Sequence, residues 1–361
     1  MERGLLAQPA REAARAVARL RLERAIDKAA PFLVTKRADA AATVGNEEVH
    51  DFRVALRRLR SWIRATGDLL HADLPRRDRL ALRRFARCAG AARDAQVEWQ
   101  WLTAPGEPFT APAARAAQWL AAQRLATYAT ERKHLQERSA KQWPALSAAI
   151  AGAFAPADSS KADESTETLG AHLAPVLAHH VSAARRALDR VEHRTQVTAI
   201  HRARIKVKRL RYLVEAVDLP TPALVRTLRF LRLLQDAFGD LHDAHVFAER
   251  FGPLLVPRRR GRRPSSGRPA LRDLRALRAA VRRHELAAFR RGLDLLASPA
   301  AAAAWRVLER LPARLERPRA RRVRRAAAKA AAMLKSNFGV NTAANTTNTA
   351  TSATLSLSVR G

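Results

Sequence analysis

The chain has 361 residues, with 67 Lys and Arg against 33 Asp and Glu, a formal net charge of +34, 47% hydrophobic residues and only 5% aromatic ones. Its one cysteine, Cys88, excludes a disulfide framework and a Cys-based zinc site. Abundant Ala, Leu and Arg with sparse Gly favour helices over a large sheet, and so great a surplus of base over acid calls for a polyanionic partner to offset its self-repulsion.

Residues Met1 to Ala16 carry charges throughout, unlike a signal peptide, and the periodicity predicts a first helix over 9–31. Further helices follow at 46–70, 76–103 and 111–142. A small, polar, aperiodic stretch at 151–168, with Pro156, Asp158, Ser159, Ser160 and Lys161, reads as a linker between a first half, 9–150, and a second half, 169–335. In the second half helices are predicted at 168–194, 197–218, 222–250 and 269–297, with helical character to about 335. Residues 257–268 form a basic loop of Arg, Pro, Ser and Gly. The Asn-, Thr- and Ser-rich tail 336–361 is expected to be disordered. No uncharged apolar run approaches the ~20 residues of a membrane span, so a cytoplasmic protein with no membrane partner is expected.

Four predicted helices on each side of the linker suggest a duplication, and two matched blocks support it. His50, Arg53, Arg57, Arg58, Leu59 and Arg60 fall on His201, Arg204, Lys208, Arg209, Leu210 and Arg211 at one constant shift. Downstream, Gly90, Asp94, Ala95 and Val97 correspond to Gly239, Asp243, Ala244 and Val246. The expected fold is all-α: two pseudo-symmetric four-helix bundles with a basic cleft or channel between them.

At about 100° per residue, His50, Arg53, Arg57, Arg60 and Arg64 share one arc of roughly 80°, opposite Phe52, Leu56, Leu59 and Ile63. The second copy places His201, Arg204, Lys208 and Arg211 opposite Ala203, Val207, Leu210 and Val214. Arg58 and Arg209 lie off these rows. Like charges stacked along a helix repel, so an extended anion lying along both rows is the expected compensation. Arginine forks match phosphate oxygens, and a histidine among them can donate from either nitrogen. Asp94 shares a face with Arg83 and Arg87, and Asp243 with Arg229 and Arg232, so each carboxylate is expected to pin an Arg at the end of a basic row.

The block His50–Arg60 resembles the N-terminal motif of the CHAD domain, the conserved histidine α-helical domain. His201–Glu215, with Lys208-Arg209-Leu210-Arg211-Tyr212, resembles the same family's second motif. Arg93-Asp94 with Val97, and Gly239–Asp243 with Val246, resemble its paired downstream motifs. The resemblance spans roughly residues 9–300. It implies paired four-helix bundles, a basic channel that binds inorganic polyphosphate, and association with polyphosphate granules. Ser61 stands where the second copy has Tyr212, so an aromatic contact is expected from one copy only. The Glu-x-Glu-x-Lys strand of the triphosphate-tunnel domain fused to many relatives does not occur, so triphosphatase activity is not expected.

Two other functions compete. Nucleic acid is also a polyanion, and non-specific binding to it at low salt is the alternative, although Trp62, Trp99, Trp101 and Phe230 form no repeated stacking platform. A metal-dependent phosphohydrolase would use the His242-Asp243 dipeptide, but the first copy has Arg93 where the ligand would be required. His172, His179, His180 and His193 match nothing in the first copy and read as incidental. No catalytic residue, metal or cofactor is expected.

Overall fold

The computed structural model describes residues 4–34, 47–104, 109–156, 167–217, 221–255 and 267–316. After a 3-10 turn at Leu5–Ala7 come α1 (Ala10–Val34), α2 (Glu48–Ala65), the single turn α3 (Gly67–Leu70), α4 (Arg76–Thr103) and α5 (Ala111–Ala153). Then follow α6 (Leu169–Leu188), α7 (Val197–Val217), α8 (Pro222–Leu255), α9 (Leu271–Ala297) and α10, residues 299–316. The all-helical expectation holds, with no named strand among the described residues and one isolated bridge, Pro9 with Thr168. Most of the 257–268 loop, the middle of the 151–168 linker and the 336–361 tail lie outside the described residues, as does the helix expected beyond 316.

The apolar stripe read on α2 is the buried one: Phe52, Leu56 and Leu59 are each 0% exposed. Each such side chain contributes roughly 1.5–3 kcal/mol by leaving water. Phe52 meets the edge of Trp143 on α5 at 5.3 Å between centroids, and Phe85 on α4 meets the same ring at 5.6 Å. Trp62 closes against α1 by donating its indole N–H to the Ala14 carbonyl over 2.9 Å. Fully buried Ala13, Ala14, Ala18 and Ala25 on α1 let that helix approach closely.

Two apolar clusters form, and each draws on both sides of the linker. The larger runs from Leu5 to Leu315 and includes the inner faces of α2, α6, α7 and α10. The smaller joins Leu102 of α4 and Ala113, Ala117 and Leu120 of α5 to Phe247 of α8 and Leu274, Leu277 and Val281 of α9. The 43-residue α5, about 65 Å long at 1.5 Å per residue, reaches both clusters. Residues Met1–Leu315 accordingly form one compact unit.

The start of α6 ties the chain's beginning to this unit. Ala10 donates to the Glu167 carbonyl over 2.9 Å and Leu169 to that of Gln8 over 3.1 Å. Thr168 caps α6, its hydroxyl accepting from the Ala171 N–H over 3.3 Å. A Cβ on Gly170 would lie 2.5 Å from the Leu315 carbonyl oxygen and 3.0 Å from that of Leu6, so three backbones meet there. The result that matters for function is that α2 and α7, the helices carrying the repeated motif, pack against each other.

Candidate polyanion-binding cleft

Between α2 and α7 lies a cavity of about 270 Å³. Arg53, Arg57, Arg60 and Arg64 line it from α2, Lys208, Arg209 and Tyr212 from α7, and His180 from α6. Six lining side chains are Arg or Lys and none is Asp or Glu. A larger cavity of about 780 Å³ opens on the other face of α2, but there Arg21, Arg24, Lys28 and Arg58 face Asp27, Asp51 and Glu215. Its charges largely cancel, so the smaller cleft is the one suited to a polyanion.

The two copies repeat an ion pair as well as a sequence. Arg53 meets Asp94 of α4 at 3.5 Å, and the matched Arg204 meets the matched Asp243 of α8 at 3.7 Å. The carboxylates do pin arginines, though not the expected ones. They reach across to the neighbouring signature helix instead of along their own, because α4 and α8 turn those faces toward α2 and α7. Arg83 is exposed, and its charge helps to depress Arg60. Arg232 is exposed at its own Asp236, at 4.0 Å.

The repeated histidines sit beside these pairs and do not line the cavity. His50 has Glu47 at 3.7 Å and feels the charge of Arg93, while the His201 ring lies 4.7 Å from that of His242. Arg93 and His242 occupy matched positions in the second block, so each repeated histidine has its neighbour at the same place in the repeat, although one copy holds Arg there and the other His.

On α7 the cleft face differs from the expected row. It runs Ile205, Lys208, Arg209, Tyr212, a stripe at i, i+3, i+4 and i+7, which turns it toward α6. Arg209 therefore joins the site, where the sequence placed it off the row. Arg211 leaves it: its guanidinium donates to Gln235 over 3.0 Å, pairs with Glu215 and stacks 4.6 Å from the centre of the Tyr212 ring. The aromatic expected from one copy has a defined task, since Arg57 Nη1 donates to Tyr212 Oη over 3.1 Å. His180, read as incidental, was missed because only the second half carries it.

Burial and like charge strain the ionised state of this cluster. Lys208 is pushed down to about 6, first by burial and then by Arg204, Arg57 and Arg53. Arg53 and Arg60 are pushed down to about 10, with burial again the largest cause and neighbouring arginines next. Burial raises Asp243, against the pull of Arg204. A phosphate chain entering the cleft would oppose each cationic depression at once. Among the described residues no group of three His, Cys, Asp or Glu is placed to hold a metal ion.

Residues 24–252 match the CHAD domain. The crystal structure of the CHAD domain from the plant Ricinus communis shares the fold at 21% identity and a TM-score of 0.53, covering 76% of this chain and 93% of that one. PptA from Streptomyces chartreusis shares it at 18% identity and a TM-score of 0.58, covering 81% of this chain and 100% of that one. No curated protein matches.

Proposed function

Because the chain belongs to the CHAD domain family, we propose that its cleft binds inorganic polyphosphate, holding the chain between α2 and α7 without turning it over. One observation carries this reading: a cavity lined by five arginines and one lysine from two packed helices and by no carboxylate. A linear phosphate chain supplies closely spaced anionic oxygens, and Arg53, Arg57, Arg60 and Arg64 offer planar donors matched to them. Nucleic acid is the rival polyanion, but Tyr212 is the one Phe, Tyr or Trp lining the cleft, so the cleft offers no row of rings on which successive bases could stack. In the cell such binding would place the protein on polyphosphate granules.

Titration with long-chain polyphosphate at several salt concentrations tests the reading. With about six to ten phosphates neutralised, log K should fall against log salt with a slope of order −4 to −7, taking single strands as the guide. Competition should leave polyphosphate bound in the presence of excess DNA. A flat salt response, or displacement by DNA at equal phosphate, would overturn it. A tagged protein should gather on granules when polyphosphate is abundant and disperse when its synthesis is blocked.

A further inference from the structure

His180 brings α6 to the cleft. It lines the cavity beside Arg64, Lys208 and Arg209, and its Nδ1 is buried without a hydrogen-bond partner. The titratable groups that face it are His179 on its own helix, Arg209 and Lys206 from α7, and Arg64 from α2. All are donors or cations and none is a carboxylate. A buried imidazole in a folded protein is ordinarily satisfied by an acceptor on one nitrogen, which fixes its tautomer. Here the walls of the cleft supply none to Nδ1, which is shut off from solvent, while the residue itself lines the cavity.

We infer that His180 is a phosphate contact of the cleft, donating a hydrogen bond from its neutral ring to an oxygen of the bound chain. The inference rests on the polyphosphate reading above. Neutrality follows from the surroundings: burial first, then His179, Arg209, Lys206 and Arg64, push the ring down to about 4. A neutral ring keeps one N–H to donate; Nδ1, buried with no acceptor, is the nitrogen left without a proton, so the N–H is carried by Nε2 and serves the ligand. Its part then differs in kind from that of the arginines. Each cation that meets a phosphate releases counterions, so it contributes to the salt slope as well as to affinity. A neutral donor contributes to affinity alone.

This difference gives the test. Full-length wild type, His180→Ala, His180→Gln and His179→Ala are titrated with long-chain polyphosphate at pH 7.5 over a range of salt. His180→Ala should bind about three- to tenfold more weakly at every salt concentration, giving a line parallel to wild type. His180→Gln, which retains a donor, should recover most of the loss, and His179→Ala, exposed and outside the cavity, should bind as wild type. Unchanged affinity in His180→Ala overturns the inference and leaves the polyphosphate reading intact. A shallower slope overturns it too, because the ring would then be a bound cation. Wild type that ignores polyphosphate instead brings down the parent reading. Should His180→Ala fail to fold, ¹⁵N-histidine spectra of the wild type decide: the His180 ring resonances must move when polyphosphate is added, and static ones refute the contact.

Discussion

The guanidinium of Arg57 on α2 donates to the phenolic oxygen of Tyr212 on α7 over 3.1 Å, a bond between residues 155 apart in sequence. Tyr212 is 2% exposed, and its ring is flanked by the guanidinium of Arg211. One wall of the cleft thus sets the position of a cation on the other before any ligand arrives. Tyr212→Phe keeps the ring and removes the bond, at a cost of about 0.5–1.5 kcal/mol in stability. Polyphosphate affinity should fall about two- to tenfold, because Arg57 must then be ordered on binding. Denaturant melts and titration of the same variant measure the two effects. An unchanged affinity would show that Arg57 needs no such positioning.

The glycines of the chain should behave in opposite ways. A methyl on Gly170 would run into two backbone carbonyls that cannot turn aside, so Gly170→Ala should destabilise by about 1–3 kcal/mol. Gly90 and Gly239, matched in the repeat, have room: the nearest atom to a Cβ on Gly90 is Arg53 Nε at 4.0 Å, and nothing lies within 4 Å at Gly239. There Ala should raise stability by up to about 1 kcal/mol through helix propensity. Thermal melts of the three variants separate the cases.

The helices and the Arg53, Arg57, Arg60 and Arg64 row of α2 were legible because their spacing is local and one apolar face is enough to orient each helix. Phe52, Leu56 and Leu59 are core because their stripe leaves them no other face. What stayed hidden depends on how helices turn against their neighbours. Asp94 shares a helical face with Arg83, yet pairs with Arg53 on another helix. Arg209 lies about 100° from Lys208 around α7, and only the position of α6 makes both face one cavity. The second apolar cluster joins α4 and α5 to α8 and α9, a contact between distant segments that no repeat or period encodes. His180 had no partner in the first copy, so the repeat that exposed the rest of the cleft concealed it.

Lys208 makes binding depend on pH. In the empty cleft burial and three arginines hold it down to about 6, so near pH 7.5 its amine is largely uncharged. Phosphate beside it favours the ammonium, and a proton is taken up as the chain binds. The binding constant should therefore fall as pH rises from about 6.5 to 9, approaching one decade per pH unit. Calorimetry in buffers of different ionisation enthalpy should register the uptake, and Lys208→Met should abolish it. The empty protein responds in the opposite sense. Between pH 6 and 10.5 the unfolded chain holds more protons at this residue than the native one, so its contribution makes stability rise with pH. Lys208→Met should flatten that rise. An affinity constant from pH 6.5 to 9 would count against this account of the cleft.

Whether the two helices form one site is tested by removing charge from each in turn. Arg53→Ala with Arg57→Ala removes two cleft-lining side chains from α2, and Lys208→Ala with Arg209→Ala removes the two basic side chains that line it from α7. None of the four is a core residue, and like-charge repulsion is relieved, so folding should survive. Each pair should weaken polyphosphate binding by several kcal/mol, at ~1.5–3 kcal/mol for each charge-assisted contact. If one phosphate segment touches both walls, the quadruple variant should depart from the sum of the pairs, because the pairs share a ligand and influence each other's charge. Arg204→Ala should cost less, since Arg204 pairs with Asp243 and does not line the cleft. The proper control is Arg58→Ala alone. Arg58 leaves α2 on the far side, in the mixed-charge cavity, with Glu215 at 3.4 Å. Its loss should cost only the long-range attraction that salt screens. A control as damaging as the cleft substitutions would mean that net charge alone holds the polymer, and that the cleft between α2 and α7 has no special part in binding it.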